Sequence, residues 1–407
     1  MSQKELETAT EQLHIKEESQ VVTPWEVEGA IVDGKAQSID YDKLIKDFGT
    51  RHITQETLDR FTKLTGHKPH HFITKGVFFS ERDFGKILDL YEKKQPFFLY
   101  TGRGPSSDSM HLGHMVPFIF TKWLQDVFDV PLVIQLTDDE KFLFKPKLTI
   151  EDVKQFSKDN AKDIIAVGFD PKKTFIFSNL EYISGGFYEN VVRISRQITT
   201  STAKSVFGFG DSDCVGKMHF ASIQIAPSFP SSFPDVLDLP PTAPALIPCA
   251  IDQDPYFRVS RDVAEKLKFS KPALLHSKFF PALQGASSKM SASDTNTAIF
   301  MTDTPAQIKK KINKYAFSGG QTTVEEHREL GGDPDVDVSY QYMKVFKDDD
   351  EFLRQTYDAY KSGDLLTGEM KQACIQVLQE FVKNFQDRRA AIDEDTLNAF
   401  MKPHRIS

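Results

Sequence analysis

Between positions 96 and 251 the chain alternates short apolar runs with longer amphipathic stretches. The runs at 97–100, 132–136, 174–177 and 245–251 are nearly continuous in hydrophobic residues. That pattern predicts strands covered on both faces, because a half-wet strand would alternate apolar and polar positions. Between them lie helical runs. One spans 115–128; another spans 151–167, with Val153, Phe156, Ile164 and Ile165 apolar and Gly168 at its end. Strand and helix in alternation predict an α/β fold built on a doubly wound parallel sheet. Ligands of such sheets sit at the carboxyl ends of strands. Three polar clusters lie just past predicted strands: Thr101-Gly102-Arg103, Thr137-Asp138-Asp139-Glu140-Lys141 and Asp252-Gln253-Asp254.

The flanks differ. Strand signals fade from Thr304 onward, and Met370, Ala373, Val377, Phe381 and Phe385 make a stripe at helical spacing that predicts core. The organisation predicted is a charged, disordered tail over 1–20, an N-terminal extension over 21–95 that packs on the α/β domain of 96–303, an all-helical domain over 304–395, and a final segment over 396–407. Within the extension, Val21 to Val27 holds Trp25 and predicts a short extended element. Ser80-Glu81-Arg82-Asp83 has the pattern of a helix start with a capping box.

Composition narrows the class. At 407 residues, with 34 phenylalanines and 40% hydrophobic residues, the chain can fill two domains plus tails. No apolar stretch approaches the roughly 20 residues needed to span a bilayer. The first twenty residues, with Glu5, Glu7, Glu11, Glu17 and Glu18, have neither a secretory apolar segment nor an Arg-rich transit character. These features predict a cytoplasmic enzyme with no membrane partner. Cys214, Cys249 and Cys374 are scattered without a C-x-x-C pair, which predicts lone thiols and no structural metal. A net charge of −8 means that any nucleic acid must be met by locally gathered cations. Lys309-Lys310-Lys311 with Lys314 is the clearest group; the same spacing also fits the solvated face of a helix.

His111-Leu112-Gly113-His114 opens a helix directly behind the first predicted strand and the small, polar turn 101–107. Histidines three apart share one helix face, and a helix N-terminus with its unpaired N–H groups suits a polyphosphate. Gly113 has no Cβ, so a flat base could lie against the backbone there. Far downstream comes Lys289-Met290-Ser291-Ala292-Ser293.

The two segments resemble the His-Ile-Gly-His and Lys-Met-Ser-Lys-Ser signatures of class I aminoacyl-tRNA synthetases. Longer strings narrow the resemblance to the eukaryotic cytoplasmic tryptophanyl-tRNA synthetase family: Tyr100 to Ser107, Leu136 to Lys141, Phe207-Gly208-Phe209 with Asp211 to Cys214, Ala250 to Arg258, and Phe279 to Gly285. Leu112 replaces isoleucine with little chemical consequence. Ala292 stands where many class members carry a second lysine, which leaves Lys289 more of the phosphate charge; eukaryotic tryptophanyl enzymes look the same.

The resemblance implies a Rossmann-type catalytic domain, a helical anticodon-binding domain and a homodimer. It implies that L-tryptophan is activated by ATP and transferred to tRNA(Trp), with Mg²⁺ carried on the nucleotide phosphates. His111, His114, Lys289 and Arg103 are then the catalytic candidates. Thr101, Gly102, Gly113, Asp252, Met290 and Ser291 join them around ATP. Tyr100 and Gln135 would accept the indole N–H, Glu140 would hold the ammonium with Gln224 and Gln253 assisting, and Phe257 would flank the ring. The alternative reading of Gln224 is a satisfied buried polar group, and that of Asp252 a turn-capping aspartate. Asp138 and Asp139 read as solvated or capping carboxylates rather than metal ligands. The Thr23-Pro24-Trp25 segment reads either as an element closing over the site or as a surface strand. Tyrosine activation, a small-molecule nucleotidylyltransferase and a catalytically silent RNA-binding relative are the competing functions. The first would need a site for a phenol hydroxyl in place of an indole N–H. The second leaves the Lys289 loop unexplained, and the third predicts eroded catalytic positions.

Overall fold

A computed structural model describes residues 19–24, 27–32, 35–290 and 296–407, apart from the side chains of 32, 35, 36 and 286–289. Its centre is a seven-stranded sheet: β1 (Arg51–His52), β2 (Phe78–Arg82), β3 (Phe98–Arg103), β4 (Leu132–Leu136), β5 (Thr174–Ser178), β6 (Ala245–Ala250) and β7 (Ala273–Ser277). The order across the sheet is β1-β2-β7-β6-β3-β4-β5. The five strands from β7 to β5 are mutually parallel, while β2 runs antiparallel to β7 and to β1. Strand order reverses between β3 and β6, which makes the crevice at their carboxyl ends the natural ligand position.

The apolar runs form strands because both sheet faces are covered. Leu99, Ile134, Ile176, Leu246 and Leu275 point into one core, and Phe98, Val133, Phe175, Ile247 and Leu274 into the other. Helix α1 (Tyr41–Phe48) is capped by Asp40 and ended by Gly49 at φ 65°; α2 (Phe84–Glu92) and α3 (Leu112–Phe128) follow. After β4 come α4 (Asp138–Phe144) and α5 (Ile150–Ile165), the latter opened by a Thr149/Asp152 capping box. Helices α6 (Val215–Ile225) and α7 (Asp254–Leu267) cover the second face.

The C-terminal third is helical, with α8 (Pro305–Tyr315), α9 (Val338–Phe346), α10 (Thr367–Ala390) and α11 (Glu394–Met401). It is not a separate core: Ile308, Tyr342, Leu378 and Phe385 belong to one apolar cluster with Phe120, Leu124, Ile134 and Ile164. Arg388 Nε bonds the carbonyl of Ala166 at 2.7 Å, and Ile406 pairs with the chain at Val236–Leu237. The last residues therefore return to the α/β region, just ahead of β6.

Three expectations change. Ser80 to Asp83 does not start a helix, since Phe78–Arg82 is the buried strand β2 and α2 starts at Phe84. Ser80 is bonded to His276 and Arg82 to Asp254, so tertiary pairing overrides the local capping pattern; Glu81 still accepts the Phe84 N–H at 2.8 Å. Strand β7 went unpredicted because His276 and Ser277 interrupt its apolar run. On α10 the deeply buried side chains are Met370, Cys374, Ile375, Leu378, Val382 and Phe385, with Ala373, Val377 and Phe381 only half-buried. The helix is packed on more than one side, so its buried face is wider than a stripe.

Candidate active site

The crevice between β3 and β6 is a cavity of about 560 Å³. On the α3 side, His111 is the N-cap and His114 sits in the first turn, their rings stacked with centroids 3.5 Å apart. Arg103, the last residue of β3, points its guanidinium at them: Nη1 lies 2.9 Å from His114 Nε2, and Nε donates to Asn160 Oδ1 at 2.9 Å. A guanidinium can only donate, so His114 Nε2 is the acceptor there and its ring proton sits on Nδ1. The His111 N–H to His114 Nδ1 approach, 3.3 Å, is then a close contact rather than a bond. Burial pulls Arg103 down to about 10 against the upward pull of Asp163 and Glu140, which leaves it charged at neutral pH. Its Nη2 is buried and has no hydrogen-bond partner among the described residues. Such an atom fits an anionic guest.

Backbone space matches. A Cβ on Gly113 would meet the His111 ring and Phe280 Cβ at 3.2 Å, and one on Gly104 would stand 2.1 Å from Lys141 Cε. The turn before α3 is braced by α5: Asn160 Nδ2 bonds Ser107 O at 2.7 Å and Asp163 accepts the Met110 N–H at 3.1 Å.

On the other side of β3 lies an aromatic and amide wall. Tyr100 and Gln135 are fully buried; the Tyr100 hydroxyl donates to Gln135 Oε1 at 2.7 Å, with Gln224 O at 3.0 Å as a second acceptor. Gln224 Nε2 approaches the same phenol at 3.3 Å, and Phe257 meets the Tyr100 ring edge-on at 5.9 Å. Tyr100, Gln224 and Phe257 line the cavity, and Gln135 stands behind Tyr100. Glu140 is buried and already engaged, taking Thr137 Oγ1 at 2.9 Å and Lys141 Nζ at 2.7 Å. Asp252 and Gln253, just past β6, complete this rim.

Beneath the rim, Asp254 holds the turn. Arg82 grips it through Nε and Nη2, both at 2.8 Å, and His276 Nε2 lies 3.1 Å away. Arg82 also donates to Gly49 O at 3.0 Å and to Phe48 O, tying α1 to the site. Burial would raise Asp254, but the Arg82 and His276 bonds prevail and bring it down to about 2.

The structure thus brings Tyr100, Thr101, Gly102, Arg103, His111, Gly113, His114, Glu140, Gln224, Asp252, Gln253, Phe257 and Met290 to one cavity. The Lys289 side chain and the whole of Ser291 lie outside the described residues, as do Trp25 and the tail 1–18. Pro24 lines the cavity, in keeping with a closing segment. Lys309 and Lys310 are exposed on α8, but Lys311 is not available to a partner, because its amine sits on Asp303 at 2.7 Å and on the Ala298 carbonyl at 3.0 Å. Asp138 is not solvated: it is fully buried, accepts from Ser157 and Ser178, and takes the Leu180 N–H in the first turn of the helix Asn179–Tyr182, which is the capping half of the expectation. Among the described residues no cluster of three His, Cys, Asp or Glu side chains could hold a metal ion. Sequence reasoning missed Asn160, and it missed Lys75, Lys278 and Lys344, which reach the cavity from three distant segments. Lys141 was legible, being adjacent to Glu140 in the quoted string.

The family description "tRNA synthetases class I (W and Y)" matches residues 92–383. The cytoplasmic tryptophan–tRNA ligase of Saccharomyces cerevisiae is 74% identical over 388 residues, 95% of this chain and 90% of that one. The human cytoplasmic enzyme is 55% identical over 392 residues, covering 96% and 82%. Among solved structures, a Plasmodium falciparum tryptophanyl-tRNA synthetase aligns with a TM-score of 0.84 at 48% identity, over 90% of this chain and 95% of its own. A tryptophan-bound one from Encephalitozoon cuniculi aligns with a TM-score of 0.83 at 45% identity, over 90% and 98%. This chain belongs to the class I aminoacyl-tRNA synthetases of the tryptophanyl and tyrosyl type, and within them to the tryptophan–tRNA ligases.

Proposed function

We propose that the protein activates L-tryptophan with ATP and charges tRNA(Trp) in the cytoplasm. The observation that carries this reading is the cavity at the strand-order reversal, with His111, His114 and Arg103 on one wall and Tyr100 heading an aromatic wall on the other. In the first step the tryptophan carboxylate attacks the α-phosphorus of ATP and pyrophosphate leaves. In the second, the 2′-hydroxyl of the terminal adenosine attacks the adenylate's carbonyl and AMP leaves. No enzyme nucleophile is required; the barrier falls through alignment and through cations and N–H donors placed where phosphate charge grows.

Arg103 Nη2, His111, His114 and Lys289 serve the phosphates in this reading. Gly113 and Met290 flank the base, Asp252 takes a ribose hydroxyl, and Thr101, Gly102 and Ser291 complete the nucleotide contacts. Mg²⁺ arrives on the nucleotide, held by phosphate oxygens and water. Tyr100 accepts the indole N–H with Gln135 behind it, and Phe257 covers the ring. Gln224 and Gln253 assist Glu140, whose carboxylate exchanges part of its Lys141 contact for the substrate ammonium. The helices beyond Thr304 read the anticodon, Lys309 and Lys310 contribute to the RNA footprint, and the working unit is a homodimer of the 46.2 kDa chain.

ATP–pyrophosphate exchange measured across the amino acids tests activation and specificity together. Exchange supported by tryptophan and not by tyrosine or phenylalanine is the expected result. Exchange driven equally by tyrosine would overturn it, and sedimentation at the monomer mass would overturn the dimer.

A further inference from the structure

Gln135 cannot choose freely which end of its amide faces Tyr100. Behind it, its Nε2 lies 2.9 Å from Asn179 Oδ1, and the Asn179 Nδ2 lies 2.7 Å from Asp139 Oδ1. The direction of this chain is fixed from its far end. Burial pushes the Asp139 carboxyl up to about 7, but its Oδ1 takes the Glu140 N–H and is the acceptor oxygen in either state, so the amino end of Asn179 must face it. Its carbonyl then faces Gln135, which must answer with its own amino group. For the second N–H of that group the acceptor among the described residues is the Ile223 carbonyl, at 3.4 Å. The Gln135 oxygen is therefore the atom turned toward Tyr100. Asp139 is itself pinned, since the same Oδ1 accepts the Glu140 N–H at 2.8 Å.

The consequence is felt at the cavity wall. A phenol has one proton and two lone pairs. With the Gln135 oxygen behind it, Tyr100 sends its proton inward, and one lone pair meets Gln224 Nε2 at 3.3 Å. The other is left for a donor from the cavity. Were the Gln135 amide reversed, its N–H would occupy that lone pair, and both would be spent on amides. Asn179 and Gln135 are both buried, so water does not repair a reversed amide cheaply.

We propose that Asn179 and Asp139 are positioning residues for substrate choice: together they polarise the Gln135 amide so that Tyr100 presents an acceptor, and not a donor, to the ring of the bound amino acid. Neither residue lines the cavity. The inference rests on the reading that an indole N–H meets Tyr100.

The test compares tryptophan with its isostere bearing sulfur in place of the ring N–H, by exchange kinetics on the full-length protein. In Asn179→Leu the amide loses its main acceptor. The KM for tryptophan should rise about tenfold, the worth of one buried hydrogen bond, with kcat and the ATP KM within about twofold. The preference for tryptophan over the sulfur isostere should shrink by a similar factor. In Asn179→Asp an acceptor still faces Gln135, the two carboxyls share one proton, and the preference should be retained. A structural role alone would lower stability in both variants and leave the preference intact in both. Tyr100→Phe separates the failures. If it leaves the preference unchanged, the ring N–H is read elsewhere and the pocket assignment falls. If Tyr100→Phe abolishes the preference while Asn179→Leu keeps it, the positioning role is overturned.

Discussion

Arg82 sits in a charged tetrapeptide that looks like a helix start, yet its guanidinium is the clamp on Asp254 beneath the substrate rim. That pair has a definite acid signature. The folded-state value of Asp254, about 2, lies below the ordinary 3.8, so its stabilisation is complete above about pH 4 and is lost as pH falls toward 2. The size is about 2 kcal/mol. Asp254→Asn should flatten the fall in denaturant-measured stability between those limits. At neutral pH it should cost about 3 kcal/mol by leaving Arg82 unpaired. An unchanged slope would mean that other carboxylates carry the acid sensitivity. For the chemistry, Lys289→Ala should slow adenylate formation by roughly two to three orders of magnitude with tryptophan affinity little changed, the scale of losing one group that meets transition-state charge. Normal single-turnover adenylation in that variant would remove Lys289 from the mechanism.

Helix α8 shows why a run of like charges is ambiguous until it is folded. Ile308 and Ile312 are buried, and the capping box of Thr304 and Gln307 fixes where the helix begins. That register turns Lys311 inward onto Asp303, whose other contact is the Phe300 N–H next to the signature turn, while Lys309 and Lys310 face out. The triplet thus splits into one strut and two solvent-exposed cations. Replacing Lys309 and Lys310 with alanine should raise the KM for tRNA and flatten its salt dependence while leaving exchange near normal, as expected for lost phosphate contacts. Lys311→Ala should instead lower thermal stability, because Asp303 is left buried without its cation. A tRNA KM unmoved at every salt concentration in the double variant would place the RNA surface elsewhere. Strand β2 carries the complementary lesson: Ser80, Glu81 and Arg82, read locally as a helix start, lie in a strand because Ser80 and Arg82 find buried partners on β7 and α7.

At the scale of the whole molecule, the sheet and the C-terminal helices share one core. Ile164, Phe385 and Tyr342 lie in the same apolar cluster as the signature helix, and Arg389 on α10 pairs with Asp163, which in turn holds the Met110 N–H. Ending the chain after residue 303 would expose that surface and strip Asp163 of its cation. The truncated protein should lose cooperative unfolding and near-ultraviolet dichroism, and with them all exchange activity. A well-folded, active fragment would show that the two regions are independent.

The sequence by itself determined the parallel α/β centre, because strands buried on both faces are written in nearly continuous apolar runs, as at 132–136, 174–177 and 245–251. It also pointed to the polar clusters at 101–103, 137–141 and 252–254, because they fall just past strand ends, where the topology puts ligands. What only the tertiary structure decided are the things that depend on partners distant in the chain. Ser80–His276 makes β2 a strand, Asp303 withdraws Lys311 from solvent, and Asn160 on α5 aims Arg103 at His114. Asp139 sets the direction of the Gln135 amide through Asn179, forty residues away in sequence. Local pattern encodes period and capping. It does not encode which buried polar group will meet which, since that pairing is settled by desolvation once the whole chain has closed.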